Sequence, residues 1–137
     1  MKVMIKVFFT LVLLIMVVSC ATTPSALPEK YDLDNELEAV DRIFTITSPR
    51  WQKVDSQSVI LRVDHKDYYL LVLRQPMDKR YSNPRIGISR TVSSITPGIE
   101  RVFVNPSEKE TGYVIEKIYK LKGREQAEEI KERFRED

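Results

Sequence analysis

Residues 58–63 (SVILRV) and 68–73 (YYLLVL) are two short runs dense in aliphatic, β-branched and aromatic side chains, and Asp64-His65-Lys66-Asp67 lies between them. Apolar runs of this length around a short polar turn read as the two strands of a hairpin. Strand side chains repeat every second residue, so Leu71 and Leu73 share a face, and both are expected to be buried. Further β-rich runs cover Arg42 to Thr47, Arg85 to Val92, and Ile99 to Val104 after the turn Thr96-Pro97-Gly98. Trp51 to Asp55 reads as a short strand or a turn. Gly112 to Leu121 is the last strand. Simple alternation puts its Tyr113, Ile115 and Tyr119 on one face, with Val114, Glu116, Ile118 and Lys120 on the other. No strand–helix–strand alternation appears, which argues against a parallel sheet. The expected fold is mainly β: a small antiparallel barrel or sandwich of about six strands with a C-terminal α-helix.

That helix is expected over Arg124 to Asp137, where neither Gly nor Pro occurs. Ala127, Ile130 and Phe134 form a narrow apolar stripe at i, i+3, i+7. A helix of about three turns is marginal alone in water, so it should dock through Ile130 and Phe134. At the other end, residues 29–41 are acidic. Their Leu33, Leu37 and Val40 have the spacing of a short helical turn, to be docked on the domain or left in solvent.

The first twenty residues have a different pattern. Lys2 and Lys6 precede a twelve-residue run from Val7 to Val18 that contains no charge, and the run ends at Val17-Val18-Ser19-Cys20. A positive start, a short apolar stretch and a small residue before the cut mark a secretory signal. The run is short of the roughly 20 residues that span a bilayer. Its end resembles a bacterial lipobox, in which the Cys at the cut is lipidated and becomes the new N-terminus. The other readings of this end are an ordinary cleaved signal and an uncleaved anchor, with Cys20 a small buried hydrophobe. The expected division is residues 1–19 as lipoprotein signal peptide, 20–40 as lipidated Cys20 with a flexible acidic tether, and 41–137 as the β-rich domain. The prolines and small polar residues after Cys20 cannot build a core. Ten to twenty such residues reach about 16–27 Å. Ala21, where an Asp would favour inner-membrane retention, points to the outer membrane and its periplasmic face.

Charge changes the picture little. The chain has 22 basic and 20 acidic residues. Lys2 and Lys6 account for the excess, so the part after the signal is neutral and gives no global argument for nucleic acid. Cys20 is the single cysteine, which excludes an internal disulfide. Locally, residues 42–90 hold ten basic and four acidic residues. The loop with Arg74, Lys79, Arg80 and Arg85 around Tyr81 reads as a solvated loop or as a surface for an anionic partner. His65, beside Asp64 and Asp67, reads as a turn residue or as an oriented base. Trp51 with Tyr68, Tyr69, Tyr113 and Tyr119 reads as core or as the lining of a ligand cavity. No nucleophile elbow or Gly-rich phosphate loop is present, so no catalytic residue, metal ligand or cofactor is assigned.

The layout Asp41-Arg42-Ile43-Phe44, Trp51-Gln52-Lys53-Val54-Asp55, Ser58-Val59-Ile60-Leu61, Tyr68 to Leu73, Ile86-Gly87-Ile88, Arg101 to Val104 and Ile115 to Ile118 resembles a family of small bacterial lipoproteins of unknown function. The resemblance covers about Asp41 to Leu121. It implies an exported β-rich domain after a lipobox and supplies no activity. The expectation is a lipid-anchored, non-enzymatic binding or assembly accessory of the cell envelope. Its partners would be the membrane, through the lipid, and an envelope protein. The alternative is a small-ligand carrier with an apolar pocket in the β domain.

Overall fold

The structure is a computed structural model that describes residues 27–78, 86–104 and 112–135. The signal and residues 20–26 of the expected tether, Cys20 and Ala21 included, lie outside the described residues, as do Lys79, Arg80, Tyr81 and Arg85. The architecture is mainly β, a curled antiparallel half-barrel with one C-terminal helix. Its strands are β1 (Glu38–Ala39), β2 (Ile43–Phe44), β3 (Arg50–Lys53), β4 (Ser58–Val63), β5 (Asp67–Leu73), β6 (Gly87–Ile88), β7 (Ser94–Ile95), β8 (Arg101–Phe103) and β9 (Tyr113–Leu121). The helix, α1, spans Arg124–Arg135. The main sheet runs β3-β4-β5-β9-β8-β6. β9 has β5 along one edge, and its other edge is shared by β8 near Tyr113 and β1 near Tyr119. β2 and β7 form a separate two-stranded ribbon.

The hairpin of β4 and β5 forms as its sequence predicts, with Val63 opposite Asp67 and Asp64 and His65 both at positive φ in the turn. Leu71 and Leu73 are fully buried on one face, with Val59, Leu61 and Val63 of β4. Ile43 and Ile95 of the ribbon close this first core. On the opposite face, Ile60, Leu70 and Val72 meet Ala127, Ile130 and Phe134 of α1, so the stripe docks on the protein's own sheet. The shorter runs give less strand than their composition suggests. Residues 42–47 contribute two strand residues and 85–92 another two, because each pairs over only a few positions.

Two sequence expectations are corrected. Val72 pairs with Lys117 but Leu73 pairs with Ile115, so β9 carries an extra residue, Glu116. A bulge of this kind breaks simple alternation. Tyr113, Ile115 and Ile118 therefore face the first core, while Tyr119 and Leu121 face the helix. The second concerns residues 29–40, assigned to the tether with docking of Leu33, Leu37 and Val40 on the domain left open. They are strapped to the helix face: Tyr31, Leu33 and Leu37 are buried, after a short 3-10 turn at Glu29–Tyr31. The Tyr119 hydroxyl donates to Asp34 at 3.0 Å and accepts from the Leu33 N–H at 3.2 Å. Lys117 pairs with Asp34 at 2.6 Å, and Arg133 of α1 pairs with Glu36 at 2.7 Å.

Asp55 fastens the start of this strap to the β3–β4 turn. It accepts from the Tyr31 hydroxyl at 2.6 Å and pairs with Lys30 at 3.1 Å. It also accepts from Ser58 Oγ and from the Gln57 N–H. Burial pushes the Asp55 carboxyl up, but these donors outweigh it and hold the group below its ordinary 3.8. A depressed carboxyl pKa means that the unfolded chain binds the proton more readily. Its stabilisation is therefore complete above the ordinary value and is lost as pH falls through the lower folded one. Asp55→Asn should lower stability to urea at pH 7 and flatten the loss of stability that the native chain shows below pH about 4. Equal acid sensitivity of the two proteins would show that Asp55 is not the titrating anchor.

Candidate functional site at the arginine end of the sheet

The β3–β4 turn at Asp55 to Gln57 sets the register of the edge strand, placing Arg50 opposite Arg62, Trp51 opposite Leu61 and Gln52 opposite Ile60. Arg62 in turn lies opposite Tyr68 of β5, and Tyr68 opposite Leu121 of β9. Arg50, Arg62 and Tyr68 thus form a row across the helix face of the sheet, just short of the Asp64–Lys66 turn. The chain leaves β9 at Leu121 and starts α1 at Arg124, which brings a third guanidinium over the end of this row. The Gln126 side chain accepts from the Lys122 N–H at 2.8 Å and fixes that corner.

Arg50, Trp51, Arg62, Tyr68, Arg124 and Glu128 line a depression of about 270 Å³. Arg50 and Arg62 also line a second, of about 390 Å³, with Thr47, Ser48, Asp64 and His65. Trp51 and Ser48 line a third, of about 310 Å³, with Pro49, Arg90 and Ile95. The three depressions meet around Ser48 to Trp51. Trp51 is 36% exposed.

Like charges directly opposite each other on antiparallel strands are destabilising. Neither Arg50 nor Arg62 has an ion-pair or hydrogen-bond partner among the described residues. The carboxylates nearby are already engaged. Asp64 accepts from the Thr47 hydroxyl at 3.1 Å, and Glu128 pairs with Lys131 at 2.6 Å. The Lys131 hydrogen bond is the main reason the Glu128 carboxyl is held down, with Arg124 a smaller coulombic contribution. Guanidinium forks beside exposed aromatic faces recognise planar anions such as phosphate and carboxylate. This arrangement can bind an anionic group and present the Tyr68 ring to whatever carries it, with Trp51, next to Arg50 on the edge strand, at its border.

The sequence matches the DUF6491 family, a family of unknown function, over residues 2–137. The chain belongs to the DUF6491 family. Neither the curated proteins nor the solved structures contain a match.

Sequence reasoning singled out part of this DUF6491 site. Trp51 and Tyr68 line the first depression, whereas Tyr119 is core and the Tyr113 hydroxyl accepts from the Asp78 N–H. His65 is exposed in the turn, on the rim of the second depression. Of the basic loop residues, Arg74 is paired with Glu116 at 2.6 Å and stands apart from this site. Arg50, Arg62 and Arg124 were missed, since no local window holds them. Counting outward from the Asp55-Ser56-Gln57 turn would have placed Arg50 against Arg62. Among the described residues, no three His, Cys, Asp or Glu side chains gather as a metal-binding group.

Arg50→Glu turns a repulsive cross-strand pair into an attractive one. It should raise stability by roughly 0.2–1 kcal/mol in low-salt urea unfolding, with the gain shrinking as salt is added. A loss of stability would show that the two guanidinium groups do not repel as placed.

Proposed function

We propose that the chain is a lipid-anchored accessory protein of the cell envelope that binds an anionic partner through the arginine end of its sheet and performs no chemistry on it. The observation that carries the binding role is the Arg50–Arg62 pair: two cations held face to face at a surface, without an acidic partner among the described residues. A folded chain can tolerate that repulsion, and a bound anion would relieve it. The anchoring role is supported by the charged start, the short apolar run and the Ser19-Cys20-Ala21 sequence, which the family match includes. The periplasmic face of an outer membrane is the location that Ala21 favours.

The strap gives this reading a geometry. Tyr31 and Lys30 grip Asp55, at the far end of β4 from the Asp64–Lys66 turn. Leu27 packs against the helix-side core. The lipid attachment would thus approach one end of the domain while the arginine groove occupies the other. From Cys20 to Leu27 the chain reaches about 24 Å when fully extended. That is close to the length of β5, about 23 Å for seven residues. A domain hung from its Leu27 end is therefore free to turn its arginine end toward a partner.

Two measurements test the two halves. Metabolic labelling with a fatty acid should mark the native chain and leave Cys20→Ser unmarked. Label retained by Cys20→Ser would refute lipidation there. For the groove, tripolyphosphate at low ionic strength should change Trp51 fluorescence saturably. Trp51 is the sole tryptophan, so the signal is local. The Arg50→Ala/Arg62→Ala chain should lose that response, and an unchanged titration would remove the groove from the account.

A further inference from the structure

The ribbon of β2 and β7 has an inward face that is well used and an outward face that is not. Ile43 and Thr45 point inward and are buried, as is Ile95. Alternation then sends Phe44 and Ile46 outward, where they are 71% and 88% exposed. The hairpin that delivers β7 turns over two residues, with Thr91 and Ser94 exchanging both backbone hydrogen bonds at 3.0 Å. Its central residues are Val92 at φ 50 and Ser93 at φ 61. A turn with both central residues at positive φ favours Asn-Gly, and a β-branched residue there is strained. Val92 is 91% exposed, so it gains nothing from the core for that strain. Backbone strain retained at a surface is characteristic of sites that act on something else.

The ribbon lies against the arginine end. The Thr45 N–H donates to the Ser93 carbonyl at 2.9 Å, so the turn sits beside the chain leading to Ile46 and Thr47. Thr47 contacts Asp64, and Arg90 donates to the Thr47 carbonyl at 3.0 Å. The Arg42 guanidinium lies 5.7 Å from the Phe44 ring centre. Arg42 has no acidic partner among the described residues, and Arg90 bonds only to carbonyls there. Against these cations stand Asp41 and Asp64. Large exposed apolar side chains with a basic rim match a bilayer bearing anionic lipids: the apolar groups enter the headgroup boundary and the cations meet phosphate.

We propose that the ribbon is a membrane-contact element, with Phe44, Ile46 and Val92 entering an anionic bilayer and Arg42 and Arg90 beside them engaging its phosphates. This deepens the reading of that end as the recognition face, and it does not depend on lipidation of Cys20.

The test uses the full chain with Cys20→Ser, reconstituted in vesicles whose acyl chains carry bromine, a contact quencher of indole. The apolar run of residues 7–18 is expected to hold the chain on either kind of vesicle, and Trp51, at the arginine end, reports whether that end touches lipid. Phosphatidylglycerol-containing vesicles should quench Trp51 and shift its emission to shorter wavelength, whereas phosphatidylcholine vesicles should do neither. Ile46→Ser/Val92→Asn should abolish the response while melting no lower than the parent, since both side chains are exposed and Asn suits positive φ. Quenching unchanged by those substitutions overturns the proposal, as does equal quenching on phosphatidylcholine. An absence of quenching beside a normal tripolyphosphate response overturns the membrane contact and leaves the anion groove standing. Loss of quenching in Ile46→Ser/Val92→Asn with no tripolyphosphate response in the parent supports the contact and rejects the groove.

Discussion

β9 gains one residue on β5 between Lys117 and Ile115, and the packing on either face of the sheet depends on that step. Without it, Ile115 and Ile118 would point to opposite sides, since strand side chains alternate. With it, both enter the core under the ribbon, while Tyr119 and Leu121 are free to meet the helix side. One strand thereby serves two cores. Its free edge is long enough to pair with β8 near one end and β1 near the other.

Tyr119 converts this placement into a closed N-terminal strap. Its ring is fully buried, and its hydroxyl is held by the Leu33 N–H and the Asp34 carboxylate. Burial raises the Tyr119 pKa, which keeps the hydroxyl protonated and able to donate. The strap and α1 cover the same face, joined by the edge-to-face contact of Tyr31 with Phe134 at 5.5 Å. Because Asp55 takes the strap at one end of β4, the other end of the sheet is left to Arg50, Arg62, Tyr68 and Arg124. The fold thus separates the end nearest the proposed anchor from the end with unsatisfied charge.

The sequence revealed what local pattern controls. Leu71 and Leu73 are buried together because alternation in a central strand is enforced by two packed neighbours. Ala127, Ile130 and Phe134 dock because a narrow stripe allows one solution. The bulge was not legible, since nothing in Tyr113 to Leu121 marks Glu116 as the extra residue; only the pairing with β5 does. The strap was misassigned because Tyr31, Leu33 and Leu37 are scattered among acidic residues and follow two prolines, a composition that also fits a tether. Trp51 and Tyr68 of the candidate site were visible as aromatic residues. Its cations were not, because Arg50, Arg62 and Arg124 come from three elements and meet only through register and the turn into α1.

The central claim is that these three arginines form one anion-binding unit. Arginine side-chain Nε–H resonances, followed by NMR as tripolyphosphate is added, test it most directly. Signals of Arg50, Arg62 and Arg124 should move together and saturate at one concentration. Arg74, paired with Glu116, and Arg101, which donates to the Gly112 carbonyl at 2.9 Å, should stay near their starting positions. Small unsaturated shifts spread over all the arginines, with Arg74 moving as far as Arg50, would contradict the account.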